Sequence, residues 1–179
     1  MHEALALLAE GDAPVLASPH DAVAGAGAGM SLALGADFAI ASDDTKLNLA
    51  YARIGASVDG GGSWHLPRIV GLRRALEIAL LCDSLDALAA PAPALGLVNR
   101  VVPASEREAE TLALARRLAQ GPTRAFSRVR RLLRGSQQRS LVEQLAAELG
   151  AFVKGPRTGD FAEGLNAFFA KRAPRYTGR

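Results

Sequence analysis

Several positions in this 179-residue sequence put chemically useful residue types at suggestive spacings. Glycines alternate at 25, 27 and 29 just before an apolar run, an arrangement that invites a dinucleotide-binding reading. The fingerprint Gly-x-Gly-x-x-Gly fails in both registers, because Met30 or Leu32 takes the place of the third glycine. Two readings remain. Small residues let the following helix pack closely, or backbone N–H groups at the helix start, which cannot bond within the helix, point at an anionic oxygen. Asp59 stands before Gly60-Gly61-Gly62, where an aspartate normally caps the next helix or bonds its own turn. His65 beside Trp64 is a candidate base, but no serine or aspartate partner is identifiable by spacing, and a packing histidine fits as well. His2 and His20 carry less weight still. Arg124, Arg128, Arg130, Arg131, Arg134 and Arg139 form a basic run that reads as a solvated helix face or a phosphate-binding surface.

The elements that must position these residues follow from apolar periodicity. Glu3 to Glu10 reads as an Ala/Leu-rich helix, and Pro14 to Ser18 as a short buried strand opened by a proline at its permitted first position. The glycine segment runs into an apolar helix, followed by a strand over Asp37 to Ser42 and a short one over Lys46 to Leu49. Helices are expected around Trp64 to Ile69 and over Leu72 to Leu81, and a strand over Val98 to Val102. Beyond that the chain is helical. Asp160 with Glu163 has the spacing of a capping box for the last helix, which puts Phe161, Leu165, Phe168 and Phe169 on one face.

Composition narrows the class. The chain is 49% apolar and 22% charged, ordinary for a globular protein, and one domain is the default. A single cysteine, Cys82, excludes an intrachain disulfide and a zinc site built on several thiolates, and fits a reducing compartment. No apolar run approaches the ~20 residues of a membrane span, and the first residues lack a basic secretory n-region, so a cytoplasmic protein is expected. The net charge of +3 hides an asymmetry: residues 1–62 carry net −6 and residues 63–179 net +9. A basic second part suits a phosphorylated ligand better than nucleic acid, since no zinc-finger spacing, RNA-recognition motif or set of stacking aromatics accompanies it.

The run Ala24-Gly25-Ala26-Gly27-Ala28-Gly29-Met30-Ser31-Leu32-Ala33-Leu34, continuing through Asp37-Phe38-Ala39-Ile40-Ala41, resembles the helix and strand of the enoyl-CoA hydratase/isomerase (crotonase) superfamily. Ile54-Gly55, Asp59 to Gly71 and Ala75-Leu76-Glu77 are similar to its central signature. Gly96 to Pro103 and Gly164 to Arg175 continue the match, so the resemblance spans nearly the whole chain.

The resemblance implies an α/β, crotonase-like spiral of stacked β-β-α turns. Residues 1–103 would be a partial spiral core, with the family's first third lying before Met1, and residues 104–179 a helical region that usually assembles trimers, so a homo-trimer or hexamer is expected. The implied substrate is an acyl-CoA thioester, with coenzyme A as part of the substrate, no separate cofactor, no metal, and neither nucleic acid nor membrane as partner. Family members polarise the thioester with two backbone N–H groups. One maps to Ala28; the other belongs to an earlier loop. Hydratases place one glutamate where Ser31 stands and another where Tyr51 stands, so the usual pair for adding water is missing. Asp59 falls where the ring-epoxide isomerases of phenylacetate degradation and the dienoyl-CoA isomerases keep a catalytic aspartate. The expected site is therefore Asp59 and Ala28 for catalysis, Tyr51, Gly27 and Gly61 around the acyl group, and Lys171 and Arg172 on the phosphates, with Trp64 bracing the loop. Proton-shuttling isomerisation is the expected reaction. Its rival is a degenerate or truncated paralogue that binds acyl-CoA weakly or serves as an oligomer partner. Pro91 and Pro93 fall in a segment that is helical in the family and should interrupt it.

Overall fold

The computed structural model describes residues 1–23, 28–88 and 91–179. They divide into two compact units, one of Met1–Ala9 with Val15–Ala113 and one of Glu10–Pro14 with Leu114–Arg179.

The first unit is built by repetition. After helix α1 (His2–Glu10) come strands β1 (Leu16–Ala17) and β2 (Ala22–Val23) and helix α2 (Gly29–Gly35). The same succession follows in β3 (Phe38–Ser42), β4 (Lys46–Leu47), a 3-10 turn over Ala50–Ile54 and helix α3 (Gly62–Val70). Like strands of the two rounds pair in parallel, with Leu16 opposite Phe38 and Ala22 opposite Lys46. Parallel pairing of equivalent strands is how a β-β-α repeat stacks into a spiral, because each crossover returns the chain one layer on. Helix α4 (Leu72–Leu81) packs on α3, and β5 (Leu85–Asp86) pairs antiparallel with β4. Helix α5 (Pro91–Ala94) is only four residues long. Pro91 and Pro93 both lie in this helical segment and do not break it there; a first turn tolerates prolines because their missing N–H is not needed. β6 (Arg100–Val102) closes the first sheet on β3, giving the orders β1-β3-β6 and β2-β4-β5.

Polar side chains tie the strand ends. Asn99 accepts the Ala39 N–H at 2.7 Å through its side chain and donates its own N–H to the Ala39 carbonyl at 2.8 Å. Asp37 takes the Val15 N–H at 2.8 Å, and buried Thr45 donates to the Pro19 carbonyl at 3.1 Å. Between the layers lie Met30, Leu34, Leu47, Leu49, Leu66 and Ile78, all buried.

Helix α6 (Arg107–Ala119) leads into the second unit, whose helices are α7 (Thr123–Ser136), α8 (Leu141–Phe152) and α9 (Gly159–Phe169). Five of the six arginines of the run lie on α7, Arg139 following it, and Arg130 and Arg131 make structural contacts. Buried Arg130 donates to the Gly11 carbonyl at 2.5 Å, and Asp12 takes hydrogen bonds from Ser127, at 2.7 Å, and from Arg131. A capping box does occur, but at α8: Ser140 and Glu143 bond each other's backbone N–H groups. The cap of α9 is Thr158, not Asp160 with Glu163. Those two carboxylates lie inside the helix and hold the tail instead. Asp160 accepts from Thr177 N–H at 2.8 Å and Gly178 N–H at 2.9 Å, and Glu163 accepts from Arg175 N–H at 2.8 Å.

Candidate active site

The site begins at the start of α2. Ala28 precedes its first residue with φ −67° and ψ 3°, and its carbonyl accepts the Leu32 N–H at 2.8 Å. No side chain caps this end, and first-turn N–H groups have no partner within their own helix. Gly25 and Gly27 lie outside the described residues.

The loop carrying Asp59 is folded directly against that end. Gly60 and Gly61 have φ of +63° and +82°, a left-handed pair that side-chain-bearing residues rarely adopt, and Gly61 is the residue from which α3 starts. A Cβ on Gly60 would come within 3.1 Å of Ser31 Cβ and 3.6 Å of Ala28 Cβ, so the glycine lets the aspartate loop approach the α2 terminus.

Asp59 is half-exposed. Its Oδ1 accepts the Gly60 N–H at 2.7 Å and lies 2.5 Å from Nε2 of His2, the first residue of α1. The hydrogen bond from His2, and after it the Gly60 amide, hold this carboxyl below the usual aspartate range, so it stands ionised at neutral pH. His2, which sequence reasoning set aside, is thus the group on the candidate base. No local pattern could have found it, since the contact joins residues 57 positions apart.

Beside this loop lies a cavity of about 330 Å³. Leu5 and Leu8 of α1 form one side, Ser31 and Leu32 of α2 another, and Gly60 and His65 also line it. A mostly apolar pocket of this size with a few polar groups is typical of small-molecule sites. Two buried hydroxyls nearby in sequence to the site residues make no hydrogen bond among the described residues, the Oγ of Ser31 and the OH of Tyr51. Tyr51 belongs to the buried apolar cluster with Met30 and Leu66. Trp64 is partly exposed, with the Arg68 guanidinium 4.0 Å over its ring and the His65 ring edge-on at 4.8 Å, so it braces the start of α3. Gly61 packs against the His65 ring, where a Cβ would meet it at 3.3 Å.

In the second unit, Lys171 follows α9 with φ +50°. The neighbouring Arg172 forms a two-pronged pair with Glu163 at 2.6 and 2.8 Å, which pulls the Glu163 carboxyl down to about 2 and raises the guanidinium. Among the described residues no helix is long and apolar enough to cross a membrane, and no three His, Cys, Asp or Glu side chains gather as a metal site.

Comparison with known proteins places this geometry in context. The family model "Enoyl-CoA hydratase/isomerase" matches residues 1–179. A Rhodobacter capsulatus protein named "Probable enoyl-CoA hydratase" is 40% identical over 166 residues, covering 93% of this chain and 63% of its own. The 1,2-epoxyphenylacetyl-CoA isomerase of Escherichia coli K12 is 37% identical over 171 residues, covering 93% and 62%. The chain therefore spans somewhat less than two thirds of these relatives' length. Among solved structures, an enoyl-CoA hydratase from Polaromonas sp. JS666 superposes with a TM-score of 0.91 at 33% identity, over 98% of this chain and 67% of that one.

Proposed function

The chain belongs to the enoyl-CoA hydratase/isomerase family and has its crotonase fold, and from that premise we propose that it acts on acyl-CoA thioesters by moving a proton within the bound acyl group. The observation that carries this reading is the identity of the acid/base groups. By the family resemblance Ser31 and Tyr51 fall where hydratases place their glutamates, and neither can deprotonate water at neutral pH. Asp59 is the carboxylate that remains, ionised and set against the α2 terminus.

The mechanism follows from these parts. The thioester carbonyl oxygen sits at the start of α2, where the Ala28 N–H and the adjoining first-turn amides stabilise the enolate that forms on deprotonation. Preorganised donors of this kind are worth about 3–4 kcal/mol each. Asp59 takes the proton from carbon α or γ to the thioester and returns it elsewhere along the same chain. Gly61 allows backbone close to the substrate, and Tyr51 limits the acyl space from the core side. Lys171 serves the coenzyme A phosphates. Arg172 shares that role only beyond its pairing with Glu163. The single buried thiol, Cys82, suits action in the cytoplasm.

A second reading has its own observation. Asp59 Oδ1 bonds the Gly60 N–H of its own turn, as a purely structural aspartate would, and the chain would then bind acyl-CoA without turnover or act as a subunit partner. Asp59→Asn separates the two. The amide keeps the size of the side chain but cannot act as a base. Turnover of 3-enoyl or ring-modified acyl-CoA should vanish while thioester binding and folding persist. Turnover at the parental rate would reject the proton-shuttle reading and favour the second.

A further inference from the structure

We infer that His2 is a positioning residue for Asp59: its imidazole holds one carboxylate oxygen and leaves the other directed to the substrate. The inference deepens the reading above and rests on it. Both hydrogen bonds to this carboxylate converge on Oδ1, one from His2 at 2.5 Å and one from the Gly60 N–H at 2.7 Å. Among the described residues none is made to Oδ2. An ionised carboxylate only accepts, so Nε2 of His2 carries the proton.

Two donors on the same oxygen do something one cannot. The terminal torsion of an aspartate is broad, and a single turn amide leaves the carboxylate free to swing about it. A second donor, arriving from a different element, fixes the plane. The Gly60 amide grips from the loop and the imidazole from α1. Proton transfer to carbon is sensitive to such placement, since the base must sit within about 3–3.5 Å of the reacting atom and in line with its bond.

The fold explains why the imidazole is there. Residues three and four apart on a helix share a face, and on α1 the line through His2 and Leu5 to Leu8 and Ala9 is the one turned toward the cavity, since Leu5, Leu8 and Ala9 all line it. The helix that walls the cavity thus delivers its first side chain to the carboxylate. His2 is the titratable group on Asp59 from the α1 side, while His65 is the titratable group lining the cavity. The His2 hydrogen bond favours the ionised carboxylate, which keeps the base competent further into acid.

The test compares the parent chain with His2→Ala and His2→Gln, the second retaining an N–H donor that does not titrate. Three readouts are taken: the Asp59 carboxyl titration by carbon-13 NMR, kcat and KM for a 3-enoyl-CoA across pH, and thermal unfolding. In His2→Ala the Asp59 midpoint should rise and the acid limb of kcat should move to higher pH. At neutral pH kcat should fall about ten- to a hundredfold with KM near parental, the scale of a misplaced catalytic group. His2→Gln should restore most of it. The carboxyl titration reads the contact whether or not the chain turns over. An Asp59 midpoint unchanged in His2→Ala overturns the role of His2, as does a loss of melting temperature in both variants with the acid limb in place. Neither result touches Asp59 as the base, which only the Asp59→Asn outcome decides.

Discussion

Ser31 and Gly62 share one packing position. A Cβ built on Gly62 would sit 2.6 Å from the Ser31 Oγ and 2.8 Å from the Val58 Cγ1, closer than real atoms approach. The start of α3 can therefore lie against α2 only while residue 62 has no side chain.

Gly62→Ala should accordingly destabilise the chain by about 1–3 kcal/mol, as overpacking a filled interior does, despite alanine's better helix propensity. Adding Ser31→Ala to it should recover part of the loss by removing the oxygen, with the Val58 contact remaining. Urea unfolding of the two single variants and the double one measures this. Equal losses in single and double variants would show that the oxygen is not what obstructs the site.

The unpartnered hydroxyls give a prediction of the opposite sign. Leaving a buried polar group unbonded costs about 1–3 kcal/mol, so Tyr51→Phe and Ser31→Ala alone should each raise the melting temperature or leave it unchanged. A clear fall in either variant would mean that its oxygen is bonded in solution.

Glu163 sets a pH window. Its folded-state value lies near 2 against an ordinary 4.5, lowered by the Arg172 hydrogen bond and then the Arg175 amide, so the unfolded chain takes up that proton first. The stabilisation is therefore complete above about 4.5 and lost as pH falls from there toward about 2. Glu163→Gln should melt below the parent at pH 7, with the gap narrowing through that window. Melting curves collected from pH 7 to 2 follow it, and a gap independent of pH would remove the ion pair as its source.

Helix α8 turns Leu141, Val142, Leu149 and Phe152 outward, each more than half exposed. Contiguous apolar surface of this kind marks an interaction face, so the chain should self-associate. Sedimentation velocity over a range of concentrations should show species heavier than the monomer, and Leu149→Asp with Phe152→Asp should disperse them. A parent chain that stays monomeric throughout would leave this face without a role in assembly.

What could be read from the sequence was whatever has a local period. Leu72 to Leu81 shows helical spacing along its whole length, and the structure ends α4 at those residues. Strands β2 and β5, two residues each, escaped, since their pairing comes from β4 rather than from any pattern of their own. The spacing of Asp160 and Glu163 is that of a capping box, yet Thr158 starts the helix earlier, and both carboxylates turn to tail amides that no short-range pattern links to them. The arginine run looked like one surface, but Arg130 and Arg131 serve Gly11 and Asp12, which lie more than a hundred positions away. At the site, the candidacy of Asp59 and Ala28 was legible only through the family resemblance, spacing alone making Asp59 a cap. His2 was not, because a lone histidine three-quarters exposed announces nothing about the carboxylate it meets.

The grip of α9 on the tail bears on which mutations the protein can absorb. Beyond the Arg172 side chain, Asp160 and Glu163 seize the backbone amides at 175, 177 and 178, so the side chain at 175 matters little, apart from proline, which has no amide hydrogen to offer. The count of residues matters a great deal. Deleting or inserting one between Arg172 and Thr177 would slide the wrong amides past two fixed acceptors and leave the buried Asp160 carboxylate without its donors. Substitutions at Arg175 should therefore accumulate freely in a mutational library while single-residue gaps are purged.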